Sequence, residues 1–267
     1  LPKIAMFGGS VFLFPHPVKE LADFLKGHGM HINYDAAHVA GLIAGGKFQD
    51  PLREGTDTMT MSTHKTLFGP QGGLVLGFEK HAEPIKKAMF PGLTSSHHIH
   101  HMSAKAVAFA EALEFGKDYA EQTIKNAKAL ASELNNLGFK VLGEKRGYTE
   151  SHQTVVNVLD YGDGGTIEAD LEKANIIVNR QLIPGDLKAN RHYMHPGGIR
   201  LGTSEITRLG MKESEMKEIA SLMKQVIVDK KDAGEIAAHV KEFKTDFKKT
   251  QYCFDNKLGA YEYVKLR

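Results

Sequence analysis

What the sequence has little of narrows it first. A single cysteine, Cys253, in 267 residues excludes an intrachain disulfide framework and a cysteine-based zinc site, and it suits a reducing compartment. No window approaches the eighteen or so consecutive apolar residues of a membrane span, and the N-terminus lacks the basic, apolar, small-residue order of a signal peptide. The expectation is a cytoplasmic protein with no membrane partner. A dominant sign of charge is also missing: 34 basic and 32 acidic residues leave a formal net charge of +2. Without a basic stripe, nucleic acid is not expected as the main partner. No internal repeat or low-complexity segment is evident. An initiator methionine is lacking too, since Leu1-Pro2-Lys3 runs straight into Ile4-Ala5-Met6-Phe7, as in a piece of a longer chain.

What is present suits a folded α/β protein. With 42% hydrophobic and 25% charged residues, the chain can bury a sizeable core in one large or two ordinary domains. The first third alternates short apolar segments with glycine-rich turns, which predicts strands over 3–7, 31–35, 58–62 and 74–78 and a helix over 18–27. The last two strands lie too close for a helical crossover and should pair antiparallel. Residues 103–137 read as one or two long helices, with Val107, Leu113 and Phe115 spaced for one buried face and Gly138 as the stop. Beyond lies an α+β order: strands near 140–142, 154–159 and 199–202, then helices over 212–228 and 234–249. The domain boundary is placed near Asn135, giving domains 1–135 and 136–267.

The chemistry concentrates around Ser62-Thr63-His64-Lys65-Thr66, followed by Gly69-Pro70-Gln71-Gly72-Gly73. A lone His-Lys pair would be a solvated loop. Upstream, however, Asn33-Tyr34-Asp35-Ala36-Ala37-His38 ends another strand in an aspartate, with a histidine three residues on. A lysine amine and a carboxylate at strand ends match the needs of pyridoxal-phosphate (PLP) chemistry. The amine forms the Schiff base, and the carboxylate keeps the pyridine nitrogen protonated. His38 would stack on or hydrogen-bond the cofactor, and His64 would lie beside the Schiff base. The run His97-His98-Ile99-His100-His101 lacks a carboxylate and reads as a polar loop, so no metal is assigned.

Five segments resemble the serine hydroxymethyltransferase family in order and approximate spacing: residues 35–41, residues 63–73, Phe90-Pro91-Gly92, Ala104-Lys105-Ala106-Val107-Ala108 and Gly198-Ile199-Arg200-Leu201-Gly202-Thr203. The resemblance implies a type I PLP-dependent transferase fold: part of a large α/β domain with a mainly parallel sheet, plus a smaller α+β C-terminal domain. It implies Lys65 as the Schiff-base lysine, Asp35 as partner of the pyridinium nitrogen, and His38 as a contact to the ring's phenolic oxygen. Ser10, in Gly8-Gly9-Ser10, resembles a serine that touches the cofactor. His64 and Thr63 join Lys65 in the catalytic group, and Arg200 resembles the arginine that grips the substrate carboxylate, a task suited to a planar guanidinium. The implied activity is reversible transfer of serine's hydroxymethyl carbon to a tetrahydropterin, of the tetrahydrofolate or tetrahydromethanopterin type, giving glycine, in a homodimer.

Some positions depart from the family pattern. Gln71 stands where the family usually has arginine, and Ser95 and Ser96 where it usually has a Gly-Gly pair in a phosphate-binding loop. The family also begins with a segment that has no counterpart here and carries the phosphate cup, so this chain alone is expected to be inactive. A threonine aldolase-like PLP enzyme and a non-catalytic, self-associating fragment are the alternative readings.

Overall fold

Short segments carrying isoleucine, tyrosine, valine or threonine between glycine-rich turns favour an extended, half-buried backbone. The computed structural model describes residues 2–255 and 259–260; the outer limits of the expected domain ranges, residues 1 and 267, lie outside them. In it, β1 (Ile4–Gly8) leads through α1 (Val18–Gly27) to β2 (His31–Asp35). Helix α1 buries Val18 and Ala22, with Glu20 in its first turn and Lys26 in its last, the polarity that the helix dipole favours. After α2 (Ala40–Ala44), α3 (Pro51–Glu54) begins with the Asp50 side chain accepting from Arg53 N and Pro51 in the first turn, two start signals in succession. The sheet is completed by β3 (Thr58–Ser62) and β4 (Gly73–Gly77).

The strand order is β1-β2-β3-β4, with β1, β2 and β3 parallel and β4 antiparallel to β3. This is the expected mainly parallel sheet with a hairpin edge. Asp35 stands opposite Gly8 on one side and Thr60 on the other. The carboxyl ends of β1, β2 and β3 therefore gather at one edge.

Two further helices follow, α4 (Ala82–Lys87) and the single long α5 (Ile99–Asn136). The buried face of α5 is not the expected one: Val107 and Leu113 are exposed, Leu113 by 90%, and Phe115 is only partly buried. Small residues take the buried positions instead, with Ala108, Gly116 and Ala120 beside Tyr119 in the first part. Gly45 shows why, since a Cβ there would lie 2.5 Å from Gly116 O and 2.7 Å from the Ala120 Cβ. Helix α5 ends as expected at Gly138 (φ +93°), where Phe139 N donates to Leu134 O and Gly138 N to Asn135 O, the pairing of a Schellman turn.

By packing, the chain divides between Glu121 and Gln122, earlier on α5 than the composition change near Asn135. The helix residues Leu130, Ala131 and Leu134 belong to the core of the C-terminal unit, which is why packing draws the line sooner. That unit contains β5 (Lys140–Val141), β6 (Gln153–Asn157), α6 (Gly164–Lys173), β7 (Asn179–Gln181) and β8 (Gly198–Gly202), followed by α7 (Ser204–Arg208), α8 (Glu213–Ile227) and α9 (Ala233–Phe243). Its sheet is antiparallel throughout, in the order β5-β6-β8-β7. Helix α9 stops at Phe243, short of the expected 249; the Thr245 hydroxyl donates to Glu242 O at 2.7 Å and competes with the helical ladder. Among the described residues no helix is long and apolar enough to cross a membrane.

Candidate functional site

The site grows from the carboxyl edge of the N-terminal sheet, where open α/β sheets bind ligands. At the end of β1, Gly8 has φ +95°, and a Cβ on it would sit 2.2 Å from Asp35 O. Only glycine lets the Gly8-Gly9-Ser10 turn pass this close to β2. The turn is held from behind: Gly8 N donates to His16 Nδ1 at 3.2 Å, His16 N donates to Gln49 Oε1 at 2.8 Å, and Gln49 Nε2 returns to His16 O at 3.0 Å. Burial pushes the His16 imidazole below its ordinary pKa. A neutral ring has the bare nitrogen needed to accept from Gly8.

Asp35 ends β2 half-buried, and its Oδ1 accepts from Ala37 N at 3.0 Å. That bond fixes the carboxylate plane while the second oxygen keeps its acceptor capacity. His38, one turn later, is also half-buried, and its carbonyl accepts from the Thr66 hydroxyl at 2.8 Å. The same hydroxyl accepts from Gly41 N at 2.9 Å. Gly41 is pressed against the loop beyond Thr66, where a Cβ would meet Thr66 O at 2.0 Å. Thr66 thus bolts the segment carrying Lys65 to the segment carrying Asp35 and His38.

The Lys65 loop closes on itself as well. Thr63 N donates to Gly72 O at 3.0 Å, Gly69 N to Thr63 O at 2.7 Å, and the buried Thr63 hydroxyl to Pro70 O at 2.6 Å. Phe68 adopts a left-handed backbone (φ +46°), and its N–H donates to Lys65 O at 3.0 Å. Exposed His64 accepts from Gly72 N through Nδ1 at 3.3 Å. These bonds account for the glycines and threonines around Lys65: they lock the short span between the end of β3 and the start of β4. Thr63 is tied to the loop's own backbone through its N–H, its carbonyl and its hydroxyl.

Sequence reasoning gave no role at this loop to the groups that reach it from α5, Lys105 and His101. A Cβ on Gly72 would lie 2.5 Å from Lys105 Nζ and 3.3 Å from Thr63 Oγ1. A positive charge therefore stands beside the loop in which Gln71 is uncharged. Desolvation and the nearby His100, His98 and Lys105 together push the His101 ring below its ordinary pKa, against the bond it makes to the Gln71 backbone. His16 and Gln49 were missed too; the one sequence signal was the constrained Pro15-His16-Pro17 run.

The remaining expected residues are Ser10, Ser95, Ser96 and Arg200. Ser10 is exposed on the Gly8-Gly9-Ser10 turn, and Ser95 and Ser96 are exposed between Leu93 and Ile99; no described contact joins either of the last two to the Lys65 loop. Arg200 belongs to the C-terminal unit. There it occupies the middle of β8, opposite Val155 and Asn179, with Nη2 donating to Asn179 Oδ1 at 3.0 Å. Burial pulls the guanidinium below its ordinary pKa, yet a group that titrates so high stays charged at neutral pH.

Comparison with known proteins places this geometry in context. The family model described as serine hydroxymethyltransferase matches residues 1–223. Serine hydroxymethyltransferase of Nitrosopumilus maritimus is 78% identical over 267 residues, covering 100% of this chain and 61% of that protein. The enzyme of the same name from Cenarchaeum symbiosum is 76% identical, covering 100% of this chain and 60% of its own length. The chain thus spans about three-fifths of the length of these curated relatives. Among solved structures, the L-threonine transaldolase of Pseudomonas fluorescens, in its internal aldimine state, superimposes with a TM-score of 0.85 at 34% identity, over 96% of this chain and 58% of that one. The architecture is the α/β fold of PLP-dependent transferases.

Proposed function

The chain belongs to the serine hydroxymethyltransferase family, and from that premise we propose that the whole protein binds PLP and reversibly transfers the hydroxymethyl carbon of serine to a tetrahydropterin, giving glycine. The observation that carries the reading is the placement of Lys65 and Asp35 at the carboxyl ends of neighbouring parallel strands, tied together through Thr66. The residues fit the cofactor: an amine for its aldehyde, a carboxylate for its ring nitrogen, and a glycine turn at Gly8 that brings backbone close to Asp35. When bound, the cofactor supplies an electron sink for negative charge at the substrate α-carbon.

Lys65 would hold the cofactor through its amine, the position at which the substrate amine would bind in its turn. Asp35 keeps a proton on the ring nitrogen, its carboxylate plane set by the Ala37 N–H. His38 would meet the ring's phenolic oxygen, and Ser10 would be a further contact to the cofactor. Ser95 and Ser96 offer hydroxyls and N–H groups to phosphate. Arg200 grips the substrate carboxylate with two parallel hydrogen bonds, its guanidinium steadied by Asn179. His64 lies next to the reacting amine, and Thr63 keeps the loop in shape. The working form is a cytoplasmic homodimer, and residues 1–267 alone convert no serine. A second reading, aldol cleavage of threonine, draws on the fold shared with the L-threonine transaldolase.

The test uses the full-length protein. After PLP is added, borohydride reduction and peptide mapping should place the label on Lys65; a label on another lysine, with Lys65 unmodified, removes the centre of the reading. Arg200→Lys should raise the dissociation constant for serine at least tenfold, about 1.4 kcal/mol, and leave PLP binding intact. Pterin-dependent turnover of serine that exceeds threonine cleavage favours the transferase, and the reverse favours the aldolase.

A further inference from the structure

At the end of the N-terminal sheet opposite Lys65, three side chains from separate elements converge. His31 opens β2, Asp57 precedes β3, and His81 follows β4, which the antiparallel pairing of Gly77 with Thr58 returns to this edge. One ligand atom from each lies within 4.8 Å of the other two. His31 Nδ1 is 4.0 Å from Asp57 Oδ2, and His81 Nε2 is 3.6 Å from Asp57 Oδ1.

Hydrogen bonding leaves this set oriented for a cation. The Thr58 hydroxyl donates to Asn33 Oδ1 at 2.8 Å, so at 2.9 Å from His31 Nε2 it acts as acceptor. His31 Nε2 then donates to Thr58, and Nδ1 is the ring nitrogen left facing the carboxylate. His81 Nε2 is buried and has no hydrogen-bond partner, an expensive state for a polar atom. Asp57 is 6% exposed and anchored by Ile32 N at 2.9 Å. Nitrogens of two imidazoles thus face one carboxylate.

We propose that His31, Asp57 and His81 form a zinc-class divalent cation site that clips the starts of β2 and β3 to the exit of β4. Two imidazole nitrogens and one carboxylate oxygen form a zinc donor set, with solvent as fourth ligand. Bonds of about 2.0 to 2.1 Å in a tetrahedron put ligand atoms roughly 3.3 Å apart, so donor atoms that lie within 4.8 Å of one another need at most about 1.5 Å of closure. Thr58 supplies the outer hydrogen bond that fixes a metal-bound histidine. Lys80 Nζ, 3.5 Å from Asp57 Oδ1 on a side chain 67% exposed, is the cation that zinc displaces, and the exposed stem lets it swing clear. The site does not rest on the reading of Lys65.

The full-length protein, stripped with chelator, is titrated with Zn2+ against a chromophoric competitor. One ion per chain is expected, bound at least tenfold more weakly by His81→Ala than by wild type, and equally well by a His100→Ala/His101→Ala variant that removes histidines from the other cluster. Lys80→Ala should tighten binding at least threefold. Absence of stoichiometric zinc, equal affinity in His81→Ala, or loss in the His100/His101 variant overturns the proposal. X-ray absorption of the wild-type zinc form keeps the test decisive if His81→Ala does not fold. Two imidazoles with oxygen completing the shell support the site; sulfur or more than two imidazoles overturns it. Borohydride labelling of Lys65 in the same samples reports separately on the other end of the sheet.

Discussion

In the C-terminal unit one continuous apolar cluster covers the sheet, with Val156, Ile199 and Leu201 from the strands meeting Leu171, Met216, Leu222 and Ile227 from the helices. The N-terminal unit is built differently. Its β1 leaves Ile4 and Met6 exposed by 59% and 67%, Leu76 on β4 is 42% exposed, and an open apolar groove of about 410 Å³ runs past Met59, Met61, Leu67 and Phe109. Its order at the site comes instead from close backbone contacts and polar bolts, such as Gly41 against Thr66 and Thr63 against Pro70. Apolar packing tolerates small shifts of a side chain, whereas a backbone bolt sets the position of a single atom. The second device suits the role proposed for this loop, to hold the Lys65 amine in a fixed place.

The largest test of this contrast compares two leucines. Leu171 is fully buried in the C-terminal cluster, and Leu113 is 90% exposed on α5. Leu171→Ala should lower stability by about 2 to 5 kcal/mol, transfer and cavity terms together. Leu113→Ala should stay within about 0.5 kcal/mol. Urea denaturation followed by hydrogen exchange at the β6 and β8 amides measures the first, and similar losses for both variants would break the comparison.

A smaller effect is expected from Gly41→Ala, which strikes the bolt itself. The added Cβ would lie 2.0 Å from Thr66 O and 2.8 Å from Leu67 N, and backbone atoms must move to admit it. Overpacking of this kind costs about 1 to 3 kcal/mol. The more telling readout is Lys65, whose borohydride label should fall in the variant by more than the stability loss explains. Full labelling would show that the loop has slack and that its bolts do not set the lysine.

These locks also explain how much was legible in the sequence. Strands β2 and β3 could be bounded because each is a short apolar run between turn signals, and their parallel pairing then brought Asp35 and Lys65 to one edge. The face of α5 could not, because size and burial are decoupled there: Gly116 and Ala120 are inside while Val107 and Leu113 point out. Helix α6 and strand β7 went unseen because α6 opens with two glycines, poor helix formers. Their purpose is close approach, since a Cβ on Gly164 would meet Gly198 O at 2.1 Å and one on Gly165 would meet Met194 O at 2.2 Å. The His31, Asp57 and His81 cluster was hidden for a topological reason, as only the return of β4 brings its third member back.

The smallest expected effect lies at the start of α6, where the C-terminal unit uses a polar lock of its own. Asp163 Oδ1 accepts from Gly165 N at 2.9 Å and Thr166 N at 3.2 Å, Oδ2 accepts from the Thr166 hydroxyl at 2.9 Å, and His195 Nδ1 lies 3.3 Å away. Partial burial works against the charge, but these hydrogen bonds outweigh it and hold the carboxyl below its ordinary pKa. A folded-state value below the unfolded one, about 3.9, means that ionised Asp163 adds stability above that range. The contribution fades as pH falls toward the folded value and is gone below it. Removing the cap with Asp163→Ala should therefore lower stability by about 1 kcal/mol at pH 7, and the gap from wild type should narrow on acidification below roughly pH 4. Asparagine caps helices about as well as aspartate, so Asp163→Asn should keep most of the neutral-pH stability and lose this pH dependence. Urea denaturation of the three proteins from pH 7 to pH 3 measures both; a gap between wild type and Asp163→Ala that persists unchanged at the acid end would mean that the charge contributes nothing to the lock.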